Sequence, residues 1–140
     1  MSPLIKNLIA IVVGWVVGAA VNMGLILVGQ NLIPGPEGID PSNMDSFKEN
    51  FHLFEPKHFI FPFLAHALGT LVGAFVATKI AASYQRNIAL GIGFLFLMGG
   101  ITMVTMVPSP TWFTILDLVV AYIPMALLGW KLAGGRKGTV

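Results

Sequence analysis

Two ionisable side chains interrupt otherwise apolar sequence: His66 within FLAHALGTLVGAF, residues 63–75, and Asp117 within TWFTILDLVVAY, residues 111–122. An imidazole and a carboxylate within hydrogen-bonding reach can share one proton, the carboxylate stabilising the imidazolium, and such a pair responds to pH. Two neutral polar side chains, Asn22 and Thr102, stand in comparable apolar surroundings. Whether these four residues can meet depends on the elements that carry them.

Those elements are four apolar runs: Asn7 to Gly29, His58 to Ile80, Asn87 to Val107 and Trp112 to Leu132. At 1.5 Å per residue, a run of about 20 residues crosses roughly 30 Å of hydrocarbon. The composition agrees, with 56% of the 140 residues hydrophobic and only 10% charged, against about a quarter charged in a soluble domain. The expected fold class is therefore all-α membrane. It is an antiparallel bundle of four spanning helices with a short outer amphipathic helix, forming one integral membrane domain over residues 1–140. Lys6 precedes the first run as in a secretory signal, but the run is too long for one and no soluble domain follows it.

Charge placement sets the expected orientation. Lys6, Lys79, Arg86, Lys131, Arg136 and Lys137 cluster at one set of run ends, which should face the cytoplasm. The segment from Pro34 to Lys57 holds five of the six acids, and the turn PSPT has no charge, so both belong outside. Both termini are then cytoplasmic. Eight Lys and Arg in so apolar a chain form no patch for nucleic acid, and the absence of cysteine excludes disulfides, thiolate metal sites and thiol nucleophiles.

The long outer segment, 34–57, begins with turns at Pro34, Gly35, Pro36 and Gly38. Beyond them Asp40 or Ser42 can cap a helix, Pro41 suits its first position, and Met44, Phe47, Phe51 and Phe54 fall on one face. The reading is an amphipathic helix on the outer membrane surface, a packed loop helix or a lid over the bundle.

Between helices in lipid, small residues and interhelical hydrogen bonds replace hydrophobic driving force. Gly14 and Gly18 lie one turn apart, with Asn22 one turn further. In the second run Pro62, His66, Gly69, Thr70, Gly73 and Ala77 share a side that should turn inward, opposite Leu64, Leu68, Leu71 and Phe75. The third run offers a stripe of Gly91, Met98, Thr102 and Thr105, and the fourth offers Asp117, Ala121 and Pro124. Trp15, Trp112 and Trp130 read as interfacial anchors.

Counted from the outer ends, Asp117, Thr102, Asn22 and His66 fall at roughly 8, 9, 10 and 12 Å of depth, a single polar layer in the outer half. Two readings fit that layer. It is a satisfied hydrogen-bond network fixing helix register, or a site for a proton, an ion or a small polar ligand.

The segments PKHFIFPFLAHALGTLVGA and PSPTWFTILDLVVAYIPMALLG resemble a group of small four-span bacterial inner-membrane proteins, and the likeness extends over nearly the whole chain. It implies the four-span architecture and a bacterial inner membrane, and it brings no activity, cofactor or site residue.

Other chemistry finds little support. His52, Glu55 and His58 match no zinc spacing, Met103 and Met106 read as packing, Ser46, Ser83 and Ser109 lie in loops without an elbow motif, and GIG at 91–93 is no phosphate loop. No catalytic residue, metal or cofactor is expected. Three functional classes remain: a non-enzymatic accessory or self-associating bundle, bound to lipid and to its own copies or a larger membrane complex; a binding or transport protein using His66 and Asp117; and an intramembrane enzyme on a lipid-soluble substrate.

Overall fold

The computed structural model describes residues 1–40 and 42–136, so Pro41 and Lys137, both named above, lie outside the described residues. Among the described residues all regular structure is helical and there is no strand. Helix α1 is Pro3–Leu32, α2 Met44–Glu49, α3 Ile60–Ile80, α4 Gln85–Met106, α5 Thr111–Val120 and α6 Ile123–Leu132. Single 3-10 turns, Phe51–Leu53 and Pro56–Phe59, lead from α2 into α3. Four helical stretches are long and apolar enough to cross a membrane, the fourth being α5 and α6 together. The chain thus has the build of a multi-pass membrane protein.

Helix α1 starts where Ser2 accepts a hydrogen bond from the Ile5 amide and Pro3 takes the first helical position, which needs no amide hydrogen. Its 30 residues make a rod of about 45 Å. That exceeds a hydrocarbon thickness of roughly 30 Å, so α1 is longer than the apolar run within it. Helix α4 begins at Tyr84, which adopts a left-handed φ of 52°. The turn before it is tied to the start of α1, for the Ala82 and Ser83 amides donate to Asn7 Oδ1 at 2.9 and 3.3 Å. Asn7 Nδ2 donates back to Ser83 Oγ at 3.0 Å. The Arg136 amide donates to Gln85 Oε1 at 3.0 Å, bringing the end of α6 to the same place.

Helix α3 is the centre of the fold, packed most extensively against α1 and then against α6 and α4. Its contact with α1 is one of backbones. A Cβ added to Gly14 would lie 2.7 Å from both the Gly73 carbonyl oxygen and Ala77 Cβ, and one added to Gly18 would lie 2.6 Å from the Gly69 carbonyl oxygen. Gly69 and Gly73 meet the Gly18 and Gly14 carbonyls in return, at 2.9 and 2.8 Å. Farther along, Gly29 faces Phe61, so ascending positions on α1 meet descending positions on α3. On its other side α3 receives α6, where Gly129 sits against the Leu71 carbonyl and the Phe75 amide. Leu71 and Phe75, expected to point away from the interior, therefore flank a second helix contact.

Several expectations are corrected. The buried face of α4 consists of Ile88, Ala89, Ile92, Gly93 and Gly100, while Gly91, Met98, Thr102 and Thr105 are exposed. The fourth run breaks at Ala121 and Tyr122, because Pro124 has no amide hydrogen and its ring clashes with the carbonyl four residues earlier. Pro124 itself is exposed. Trp130 is 5% exposed and lies within the core, beneath Gly135, so it is no interfacial anchor.

The outer helix is shorter than expected, six residues capped by Asn43, whose Oδ1 accepts from the Asp45 and Ser46 amides. Asp40 instead accepts from the Ser42 amide and hydroxyl, which hold its carboxyl below the usual value. Phe51 falls in a 3-10 turn, so the four apolar residues do not form one helical face. Phe47 and Phe54 still meet, with ring centroids 4.8 Å apart.

The glycine seam gives a direct test. Gly18→Ala and Gly69→Ala each force two backbones apart and should lower unfolding stability by about 1–3 kcal/mol. Gly24, where an added Cβ meets nothing within 4 Å, gains helix propensity on conversion to alanine and should show no loss. Unfolding of the three variants in lipid nanodiscs decides it.

Candidate functional site

Partners reach Asp117, which is 3% exposed, from two directions. From α3, His66 Nδ1 lies 2.8 Å from Oδ1 and 3.0 Å from Oδ2. These distances place a proton between Nδ1 and the carboxyl group, and Nε2 is the remaining polar atom of the ring. From the break between α5 and α6, the Tyr122 hydroxyl donates to Oδ2 at 3.0 Å. The His66 and Tyr122 rings stack, with centroids 5.8 Å apart and an interplanar angle of 28°. Thr70, fully buried, donates to the His66 carbonyl at 2.8 Å and ties the histidine's own turn.

Tyr122 is the residue that the sequence pattern hides. In one continuous helix, residues five apart are turned about 140° from each other and do not meet. The break removes that restriction. Helical hydrogen bonding ends with the Ala121 amide on the Asp117 carbonyl and resumes with the Ala126 amide on the Tyr122 carbonyl. The one usable signal was Pro124, which makes the helical phase unreliable for the preceding turn. Gly100 of α4 completes the arrangement, because any Cβ there would overlap the Tyr122 hydroxyl and lie 2.7 Å from Cζ.

The other two members of the expected layer are placed differently. Asn22 packs on Gly69, with its Cβ 3.0 Å from where a Gly69 Cβ would be, on the α1–α3 seam. Its Oδ1 is buried and has no hydrogen-bond partner among the described residues. Thr102 is exposed, and its hydroxyl donates to the Met98 carbonyl of its own helix at 2.9 Å. The structure does not bring Thr102 to His66 or Asp117.

A cavity of about 570 Å³ opens above the pair, lined by both His66 and Asp117. Its walls come from Ile26 of α1, Phe61 of α3, Met103 and Val104 of α4 and Phe113 of α5, and Phe54 and His58 of the connecting segment lie at its roof. The volume lies within the 300–1,000 Å³ typical of small-molecule sites, as does the pattern of apolar walls with a few convergent polar groups. His58 accepts at Nδ1 from the Glu55 amide at 2.8 Å, and the Glu55 carboxylate pairs with Lys57 at 3.1 Å on the exposed rim. Among the described residues no three His, Asp or Glu side chains form a metal-binding group.

No family model matches the chain, and no curated protein or solved structure matches it either. What the site does therefore has to be argued from its own geometry.

Within apolar helices, a carboxylate that loses its partner is an uncompensated buried charge, and removing one member of such a pair costs about 3–5 kcal/mol. His66→Leu should therefore destabilise the fold by that amount. Replacing both residues, His66→Leu with Asp117→Leu, removes the charge together with its partner and should recover most of the loss. Urea or thermal unfolding of the singles and the double gives the coupling; a double variant as unstable as the sum of the singles would show that the two do not act as a pair.

Proposed function

We propose that the chain is a small-molecule-binding protein of a bacterial inner membrane, built as an antiparallel bundle of four spans with both termini in the cytoplasm. The ligand enters the cavity from the outer side, beneath the 33–59 segment, and its polar end meets His66. One observation carries this reading: a cavity of about 570 Å³ with mostly apolar walls ends on the buried His66–Asp117 pair. A network serving only helix register has no need of an adjoining space of that size, since protein interiors otherwise close-pack.

The arrangement of charge supports the orientation. Lys6, the α3–α4 turn with Lys79 and Arg86, and the end of α6 with Lys131 and Arg136 gather at one end, tied by the Asn7 and Gln85 hydrogen bonds. Glu37, Asp40, Asp45, Glu49 and Glu55 lie in the opposite connection. Such segregation is what the positive-inside tendency requires of a four-span chain.

The rival classes gain less. Gly14, Gly18, Gly69 and Gly73, which would have offered faces to other helices, are filled by one another inside the chain. Among the described residues the polar neighbours of His66 are Asp117, Thr70 and Tyr122, the last two with their hydroxyls donating to the backbone or to Asp117, and none is placed as a nucleophile activated by the imidazole.

Two outcomes are expected. With no native cysteine in the chain, single Ser109→Cys and Ser83→Cys variants report orientation: an impermeant maleimide added to intact cells should label the first, and the second only after permeabilisation. Solvent extracts of the purified native chain should contain a small molecule that is missing from Ile26→Trp, whose indole fills the cavity. Identical extracts from the two proteins would remove the binding reading.

A further inference from the structure

The chemistry of the cavity floor narrows what it can hold, given the binding reading above. Asp117 is fully engaged: both its oxygens face His66 Nδ1, and Oδ2 also accepts from Tyr122. An unbalanced charge between apolar helices is expensive, so the pair shares one proton and carries no net charge. The cavity therefore meets a floor that is already neutral. What remains on offer is His66 Nε2, a hydrogen-bond donor whichever atom of the pair holds the shared proton, on a side chain with 22% of its surface accessible.

Each charged class of ligand fails on these terms. A cationic head finds the carboxylate occupied and would leave the Nε2 hydrogen without an acceptor. An anionic head can accept from Nε2, but it adds a net negative charge where Asp117 is already balanced, and Lys57, the cation on the cavity wall, is already paired with Glu55 at the exposed rim. A divalent cation would need ligands that the floor does not have, since no group of three metal-binding side chains exists among the described residues. A neutral carbonyl oxygen satisfies the donor and leaves the charge unchanged. Around it, Phe54, Phe59, Phe61 and Phe113 supply aromatic faces and edges, which suit a flat ring better than a branched head. The rest of the molecule must be apolar, as Ile26, Met103 and Val104 are.

We infer that the cavity binds a neutral, lipid-soluble ring compound through a carbonyl oxygen, the chemistry of a quinone head on an apolar tail, with the donor supplied by His66 Nε2. Asp117 and Tyr122 are positioning residues in this arrangement: they fix the protonation and plane of the imidazole and do not touch the ligand. The inference concerns binding alone and assigns no electron transfer.

The test uses probes with one tail and three heads: a decyl-substituted benzoquinone, decanoate and decylammonium, each titrated against the whole chain in lipid nanodiscs while thermal unfolding is followed. A ligand of the folded state raises the unfolding temperature in proportion to its affinity. The quinone should stabilise saturably at concentrations about tenfold below either charged probe, as expected for one hydrogen bond gained against one left unmade. Its effect should vanish in Ile26→Trp, or in Val104→Trp should the first variant fold poorly, and should weaken about tenfold in the double variant His66→Leu with Asp117→Leu. Stabilisation by decanoate or decylammonium in preference to the quinone, abolished by filling the cavity, would overturn the head-group inference and leave the binding reading in place. Should no probe stabilise the chain, or should all three act equally on the filled variants, the binding reading falls as well.

Discussion

The Asp117 carboxylate is the group that the rest of this structure has to accommodate. Buried among apolar helices, it has no solvent to meet its oxygens, and each partner must come from the chain itself. His66 reaches it from α3 and Tyr122 from the break between α5 and α6. Each partner makes a further demand. Tyr122 can face Asp117 only because Pro124 interrupts the helix, and its hydroxyl has room only because position 100 of α4 carries no side chain. His66 needs α3 at the centre of the bundle, and α3 sits there because glycines let α1 approach it from one side and Gly129 lets α6 approach from the other. The proline, the glycines and the ion pair thus form one chain of dependence.

That chain explains which parts of the structure could be read from the sequence. The spans were legible because hydrophobic length is a property of composition and needs no knowledge of contacts: the run from Asn87 to Val107 became α4, Gln85–Met106, and the run from His58 to Ile80 became α3 with the 3-10 turn before it. The inward side of α3 was legible as well, since small residues earn their place in a membrane helix by letting a neighbour in. Both inferences rest on one segment at a time.

What failed required knowing two segments together. Thr102 shares the depth of the polar layer but not its helical phase; a threonine hydroxyl in a helix can be satisfied by the carbonyl four residues back, so it does not need the interior. Tyr122 was overlooked because it lies on the wrong side of an unbroken helix from Asp117, and only the kink brings it round. The buried face of α4 is hidden in the sequence for the same reason as the placement of Thr102. Its polar residues drew attention, while Ala89, Gly93 and Gly100 were the positions that neighbours fill.

The position of the cavity follows from side-chain size along the bundle. Toward the end that carries the α3–α4 turn, the helices meet through small residues, Ala10, Gly14, Ala74, Ala77, Ala89 and Ala126, most of them in one buried cluster that Ile88, Ile92 and Trp130 also fill. Backbones there approach to contact and leave no space. Toward the other end the same helices carry Phe61, Phe113 and Pro62, and the Phe61 ring bears directly on α1 at Gly29. The cavity lies among these rings and the neighbouring apolar walls. The ion pair lies at the transition between the two regimes, with close-packed alanine and glycine beneath it and the open cavity above. A carboxylate placed a turn or two deeper would have no room for its histidine, and one placed at the rim would be met by water; between these limits it can be both fully partnered and next to a space that something else can enter.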